Sequence, residues 1–239
     1  MSDRRRHRGP NPLDEEMFHA RHLDRLKRAT DDLCWLLSRG YASKSSLKLV
    51  GDHFRLTERQ RIAVGRCACA DSARMDRTAR ELEPSEIRDR SLAIDGFNIL
   101  TTVEAALSNG VLLLGRDGCL RDMVSLHGAF RRVEETLPAV DLLIRHLESL
   151  GPSTCRWLLD APVSNSGRLA QTIRDQAGKR ATRTLHSVEL VPNPDPVLKR
   201  CRNVVVTADS AILDRRITWF NLARHVVETH RRGARVIAL

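Results

Sequence analysis

The chain has 239 residues, of which 41% are hydrophobic, so it can bury a core in one large or two small domains. None of its apolar runs approaches the roughly 18 residues needed to span a bilayer, which excludes a membrane protein. The N-terminal arginines are not followed by the apolar segment of a secretory signal, so we expect a cytoplasmic protein. The six cysteines lack paired spacing and are expected to be small core residues.

The charge balance favours a polyanionic partner. Lysine and arginine number 40 against 30 acidic residues, which gives a formal net charge of +10. Neutralising phosphates releases counterions, so a basic surface of this kind attracts nucleic acid. Aromatic residues make up only 4% of the chain, which argues against a platform of exposed rings that stacks bases. We expect bound nucleic acid to be held by its backbone. A basic protein with no such partner is the simpler alternative, and the sequence leaves homo-oligomer formation open.

The first part of the chain is predicted to be helical. Residues 1–16 are rich in arginine, glycine and proline, and we expect a disordered basic arm there. Apolar residues recur at near-helical spacing over 19–39, and a second, shorter helix is predicted over 43–50. A third helix, over about 57–80, begins with a Thr-x-x-Gln capping box. Together these helices predict a small all-α domain over residues 17–84.

The pattern changes after residue 84, where short apolar runs begin to alternate with helical segments. The predicted strands are Leu92 to Ile94, Trp157 to Leu159, Val188 to Val191, Val204 to Val206 and Val236 to Leu239. The predicted helices between them cover residues 102–108, 120–135, 138–150, 166–179 and 217–230. Continuous apolar strands separated by helices are typical of a parallel sheet covered on both faces. Residues 90–239 are therefore predicted to form a doubly wound α/β domain with about five strands.

Four of the predicted strands are each followed by an aspartate: Asp95, Asp160, Asp195 and Asp209. The carboxyl ends of parallel strands meet at one edge of the sheet, so these side chains are expected to converge. Two carboxylates about 4 Å apart at a partly exposed site repel by about 4 kcal/mol, which makes the cluster costly without a cation. Ligands that offer only oxygen suit Mg²⁺ or Mn²⁺.

Each acidic residue also has a purely structural interpretation. Asp95, Asp160, Asp195 and Asp209 could cap helices or stabilise turns, because aspartate is favoured in both positions. Asp214 lies beside two arginines and could form a surface ion pair, while Glu104 has the spacing of a capping box with Thr101. The sequence leaves open whether Asp195, Asp214 or Glu104 joins the site.

Two segments carry a resemblance to a known superfamily. Residues 93–100, AIDGFNIL, resemble the first motif of PIN-like nucleases of the NYN branch, in which an apolar strand ends in Asp-Gly-x-Asn. Residues 204–213, VVVTADSAIL, are similar to the late motif, and residues 195–198 resemble the intervening one. The resemblance covers about residues 91–239, and the layout is similar to a prokaryotic family in which a helical domain precedes a PIN-like domain. It implies a PIN-like fold and metal-dependent hydrolysis of RNA phosphodiesters.

The resemblance and the strand-end positions together suggest a role for each residue. Asp95, Asp160 and Asp209 would hold one or two Mg²⁺ or Mn²⁺ ions, with Asp195 or Asp214 completing the catalytic site. A metal-bound hydroxide would then attack phosphorus in line. Residues expected to contact water, phosphate or the RNA backbone are Asn98, Ser164, Thr207, Arg168, Arg174 and Lys179.

Two other functions fit the same sequence less closely. A catalytically silent RNA- or ribosome-binding adaptor would keep the fold and the charge without the metal. A phosphotransferase or phosphatase would use Asp95 as its nucleophile, but Phe97 stands where such enzymes need a second aspartate. Convergence of the aspartates around a cation distinguishes the nuclease from the adaptor.

Overall fold

The computed structural model describes residues 7–124, 130–180 and 183–239 of the chain. In these ranges the protein has a mixed α/β fold, in which a helical N-terminal region precedes a parallel sheet. This agrees with the fold class predicted from the alternation of apolar runs and helical segments. No helix in the described ranges is long and apolar enough to cross a membrane.

The N-terminal region is built from short helices that pack on one another. Its helices are α1 (Asp14–Met17), α2 (Ala20–Ser38), α3 (Ser43–His53), α4 (Glu58–Cys67) and α5 (Asp71–Thr78). The predicted capping box opens α4, where the Thr57 hydroxyl accepts from the amide of Gln60 at 3.3 Å. The single helix predicted over 57–80 is wrong, because the chain becomes extended between Cys67 and Asp71. This break lets Cys67 and Cys69 both point into the interior.

The main sheet contains four parallel strands in the described ranges. They are β1 (Ser91–Asp95), β4 (Thr154–Asp160), β5 (Leu185–Val191) and β6 (Val204–Val206), in the order β5-β4-β1-β6. One face packs against α6 (Gly96–Leu107), α7 (Thr136–Leu150), α8 (Ser166–Gly178) and α11 (Leu222–His230). The other face is covered by α9 (Pro194–Leu198), α10 (Ser210–Leu213) and the buried Trp219. Burial on both faces explains the continuous apolar runs of β1, β4 and β6, whereas β5, at the edge of the sheet, is only partly buried.

A second, smaller sheet was not predicted. It consists of β2 (Leu112–Leu114), β3 (Leu120–Asp122) and β7 (Val236–Ala238), with β2 antiparallel to β3 and parallel to β7. The predicted fifth strand at the C-terminus therefore exists but pairs with β2 instead of extending the main sheet. The helix predicted over 120–135 is wrong in the described residues, because 120–122 form β3 after a turn in which Gly118 has a φ of +78°, and 130–135 precede α7 without helical structure. Part of that predicted helix, 125–129, lies outside the described residues.

The small sheet connects the helical region to the rest of the molecule. Val111, Leu113 and Ile237 share one apolar cluster with Leu33 of α2 and Val64 of α4. All five side chains are less than one-tenth exposed. The helical region therefore buries its apolar face against strands that follow it in the sequence, across the boundary predicted near residue 84.

The segment that precedes α2 is packed, so the predicted disordered arm is wrong for residues 7–16, and residues 1–6 lie outside the described ranges. The Arg8 Nε donates to Glu104 Oε2 at 2.8 Å. Asp14 is 1% exposed and pairs with Arg59 of α4. Ion pairs with buried carboxylates hold this segment in place, and composition alone gives no sign of them.

The pair formed by Arg8 and Glu104 is expected to stabilise the fold. Glu104 is fully buried, and burial raises its pKa to about 7 although Arg8 and Thr136 oppose the rise. Removing one partner of a buried pair costs about 3 kcal/mol. Arg8→Ala should lower the free energy of unfolding by about that amount at pH 8 and by less at pH 6, where the carboxyl can take up a proton. Urea unfolding at the two pH values measures this.

The control is the same change in a Glu104→Gln background. There the loss caused by Arg8→Ala should be small and independent of pH. An equal loss in both backgrounds would show that Arg8 acts through other contacts.

Candidate active site

The strand order creates a crevice at the carboxyl ends of β1 and β6. From β1 the chain passes to β4 and β5 on one side, then returns to β6 on the other side of β1. The connections on either side of β1 therefore diverge, and such a topological switch point is where open α/β sheets bind ligands. Asp95 is the last residue of β1, and residues 207–209 directly follow β6.

Hydrogen bonds join the two strand ends at this crevice. The Thr207 hydroxyl donates to Asp95 Oδ2 at 2.8 Å and accepts from the Asp209 amide at 3.1 Å. The Ala208 amide donates to Asn98 Oδ1 at 2.8 Å. Thr207 is 1% exposed and Asp95 is 9% exposed, so the pair is at the base of the crevice. Asn98 and Thr207, both predicted site residues, thus fix the relative position of β1 and β6.

The electrostatics of Asp95 depend on burial and on neighbouring acids. Burial is the main cause that raises the pKa of its carboxyl to about 7, and the hydrogen bond from Thr207 opposes the rise. The negative charges of Asp209, Asp160 and Asp195 raise it further. All four strand-end aspartates identified in the sequence are therefore close enough to interact through their charges.

The other three aspartates differ in their local contacts. Asp209 caps α10, with Oδ1 accepting from the Ala211 amide at 2.6 Å, and Asp195 Oδ2 accepts from Lys199 Nζ at 2.6 Å. The pKa of Asp160 is raised by burial and by the charge of Asp195. In the described ranges, no three histidine, cysteine, aspartate or glutamate side chains are arranged to hold one metal ion together. The carboxylates share an electrostatic environment, but two of them are held by other partners.

A cavity of about 530 Å³ opens above Asp95. Its acidic lining residues are Asp95, Asp122, Asp195 and Asp209, and its basic ones are Arg66 and Arg121. Asn98, Thr101, Thr102 and Ser210 add polar groups to the wall. A cavity that combines carboxylates with guanidinium groups can take a ligand that carries both a cation and anionic oxygens.

Arg121 and its partners were missed by the sequence analysis. Arg121 Nε donates to the Ala208 carbonyl at 2.9 Å, and its two terminal nitrogens donate to the Asp117 carboxylate. Asp117 also pairs with Arg77 of α5. Burial would raise the pKa of Asp117, but the hydrogen bonds and charges of the two arginines outweigh it and lower the pKa to about 2. Asp117 and Arg121 are only four residues apart, but their contacts with Arg77 and Ala208 join segments that are distant in sequence, so no local motif marks them.

Asp122 was missed because its strand was predicted to be helical. Its Oδ2 accepts from the hydroxyls of Thr101 and Thr102 at 2.9 and 3.1 Å, and its Oδ1 accepts from the Val124 amide. Asp122 is 7% exposed and lies on the wall of the cavity that contains Asp95. Its carboxylate accepts from neutral donors of α6 and of Val124, and Arg66 Nη1 lies 3.6 Å from Oδ1.

Several predicted site residues do not line this cavity. Asp214 forms an ion pair with Arg77 at 2.6 Å, so its charge has a structural partner. Glu104 pairs with Arg8. Ser164 and Arg168 are exposed, and Asp160 lies outside the cavity wall. Arg174 donates to the Val188 carbonyl, and Lys179 lines a separate cavity of about 650 Å³. The helix after Asp160 therefore does not bring its basic residues to Asp95.

Asp95→Asn should stabilise the protein above pH 7. A carboxyl whose pKa is higher in the folded than in the unfolded state loses stability as pH rises between the two values. The rise in the pKa of Asp95 from the ordinary 3.8 to about 7 lowers the free energy of unfolding by about 4 kcal/mol at pH 8. An asparagine at this position avoids that loss, and its side-chain oxygen can still accept from the Thr207 hydroxyl. Thermal unfolding between pH 4 and pH 8 measures this, and Asp175→Asn on the exposed face of α8 is the matched control. An unchanged pH dependence in Asp95→Asn would contradict the assignment.

Two family models match separate parts of the chain. Residues 84–225 match a family described as Domain of unknown function (DUF5616), and residues 25–80 match one described as Protein of unknown function (DUF434). The chain is 31% identical over 189 residues to Uncharacterized protein MJ0935 of Methanocaldococcus jannaschii, which covers 79% of this chain and 88% of that protein. No solved structure matches the chain.

Proposed function

We propose that this chain, which belongs to the family described as Domain of unknown function (DUF5616), is a metal-dependent ribonuclease that hydrolyses phosphodiester bonds beside Asp95. The observation that carries the proposal is the buried Asp95 carboxyl at the topological switch point, with its pKa raised to about 7 by burial and by three other aspartates. The fold we propose is PIN-like, on the basis of the motifs at 93–100 and 204–213.

A comparison of two buried acids supports the proposal that Asp95 binds a cation. Asp95 and Glu104 are both buried, and both have a pKa of about 7. The chain supplies Glu104 with an arginine, Arg8, whose charge offsets part of the cost. The charged neighbours that act most on Asp95 are other carboxylates, which add to the cost. A divalent ion would favour the charged form of Asp95, as Arg8 does for Glu104.

The donor chemistry fits Mg²⁺ or Mn²⁺, since carboxylate oxygens are the preferred ligands of both. Asp95 and Asp209, which line the same cavity, would hold the ion together with water molecules, and Asp195 in the same wall could complete the set. Asp160, the third predicted ligand, lies outside that wall and would act only through its charge. Asp209 would have to share its carboxylate between the ion and the Ala211 amide, and the second oxygen leaves room for this. When bound, such an ion lowers the pKa of a water molecule and neutralises charge on a phosphate oxygen.

The surrounding residues would act by orienting these groups. Thr207 fixes the Asp95 carboxylate, and Asn98 anchors the segment that carries Asp209 by accepting from the Ala208 amide. Arg121 holds the other side of the same segment through the Ala208 carbonyl. A site fixed from both sides spends little energy on reorganisation when the phosphate becomes more highly charged.

RNA is the proposed substrate, held by its backbone. The support is the net charge of +10 and the small number of aromatic side chains.

The proposed location is the cytoplasm. The six cysteines are unpaired, and five of them are buried, which fits the reducing cytoplasm predicted from the sequence.

Affinity for single-stranded RNA should fall steeply with salt, because phosphate contacts release counterions. We expect a loss of at least tenfold between about 50 and 200 mM NaCl, measured by fluorescence anisotropy in EDTA. An affinity independent of salt would point to a protein partner instead.

The catalytic prediction concerns Asp95→Asn and Asp209→Asn. Both variants should fold normally by circular dichroism and lose nearly all Mn²⁺-dependent cleavage of single-stranded RNA. Asn at 209 can still cap α10, so a helix-capping role would be preserved, whereas the negative charge a divalent ion needs would be lost. Gel assays with and without EDTA, and calorimetry of Mn²⁺ binding, measure the effect. Asp175→Asn is the control that should remain active.

Mn²⁺ affinity should also rise between pH 6 and pH 8, since the ion competes with the proton on Asp95. A parent protein that binds RNA but neither binds Mn²⁺ nor cleaves would instead be an adaptor that keeps the fold without the chemistry.

A further inference from the structure

The helical region contributes directly to the cavity that contains Asp95. Gly65 and Arg66, in the last turn of α4, line its wall. Val64 and Cys67 on either side of them are buried in the apolar cluster shared with the small sheet. Packing of α4 on β2 therefore fixes the direction of Arg66, and the cavity is formed by two regions that match separate families.

The charge of Arg66 is only partly balanced by the described residues. Its two terminal nitrogens donate to main-chain carbonyls, those of Asp122 and of Val124, the latter at 3.0 Å. The nearest carboxylate oxygen in its ion pair, Asp122 Oδ1, is 3.6 Å away and also accepts from the Val124 amide. A guanidinium carries five N–H groups, so donors remain for a ligand. The Arg66 side chain is 31% exposed.

The second arginine of the cavity, Arg121, has its charge balanced by a carboxylate. Arg121 donates to both oxygens of the Asp117 carboxylate, at 2.9 and 2.6 Å, and its side chain is 10% exposed. Its charge is matched by a buried carboxylate in direct contact. Of the two guanidiniums in the wall, Arg66 is the one that can meet an anion.

We propose that Arg66 binds a backbone phosphate of single-stranded RNA, so that the substrate lies across the junction between the helical region and the parallel sheet. This inference rests on the proposed function for the identity of the substrate. A phosphate that approaches four carboxylates is repelled, and the Arg66 guanidinium in the lining of the same cavity offsets that repulsion. The planar fork of arginine can donate two parallel hydrogen bonds to phosphate oxygens.

Arg61 offers a closely matched control on the same helix. Like Arg66 it donates to main-chain carbonyls, those of Leu56 and Lys48, and pairs with an aspartate, Asp52. Its side chain is 28% exposed, close to the 31% of Arg66, but it does not line the cavity. Replacing either arginine removes one positive charge from α4, so a difference between the variants reports position and not net charge.

The experiment measures binding of a fluorescein-labelled single-stranded oligouridylate in EDTA at several NaCl concentrations. Arg66→Gln should weaken binding about tenfold and reduce the slope of log affinity against log salt by about 0.7, the value for one phosphate contact on a single strand. Arg66→Lys should restore the slope and part of the affinity, because it keeps the charge but not the fork. Arg61→Gln should leave both close to the parent. Equal affinities and slopes in Arg66→Gln and Arg61→Gln would overturn the proposal.

A second measurement uses the unaltered protein, so it does not depend on the variants folding. Phenylglyoxal modifies exposed arginines, and mass spectrometry locates the adducts. RNA should protect Arg66 and leave Arg61 reactive, and equal reactivity of Arg66 with and without RNA would overturn the proposal. Both measurements are made without metal, so they also hold for a protein that fails to cleave RNA. If the protein cleaves RNA but Arg66→Gln does not change RNA binding, the inference about Arg66 is rejected and the proposed ribonuclease function stands.

Discussion

The ion pairs around Asp117 and Arg77 hold together three parts of the molecule that are distant in sequence: α5, the turn into β3, and the end of α10. Asp117 is in the turn between β2 and β3, Arg77 is on α5, and Arg121 is on β3. Arg77 also pairs with Asp214 at the end of α10, and Arg121 reaches the Ala208 carbonyl. Both arginine side chains are at most 10% exposed, and a buried guanidinium without a carboxylate partner would strongly destabilise the fold. The ion pairs therefore fix the orientation of the helical region against the sheet.

The same network determines the shape of the candidate site. Asp209 stands between Ala208, whose carbonyl accepts from Arg121, and Ser210, whose hydroxyl accepts from the same guanidinium at 3.2 Å. On the other side Asn98 accepts from the Ala208 amide. The loop after β6 is thus fixed between α6 and β3. The position of Asp209 relative to Asp95 therefore depends on buried charges outside the main sheet.

Buried acids in the described part of the chain differ in what surrounds them. Asp14, Glu104 and Asp117 each have an arginine in contact, and they act as structural anchors. Asp95 receives a neutral hydroxyl and faces other carboxylates. A buried carboxyl that faces other carboxylates without a basic partner destabilises the fold, and such groups are characteristic of functional sites. This contrast, together with the arginines in the cavity wall, makes the Asp95 crevice the strongest candidate for function.

The sequence by itself determined the elements whose signals are local. Strands β1, β4 and β6 appear as apolar runs because they are buried on both faces. The aspartates that follow the strands mark the sheet edge where their charges interact. The features that depend on contacts between distant parts of the chain were decided by the tertiary structure. It ordered residues 7–16 through Arg8 and Asp14, and it paired β7 with β2 instead of with the main sheet. It also brought Arg66 and Arg121 to the cavity, because an ion pair or a cavity wall joins residues whose spacing along the chain carries no periodic signal.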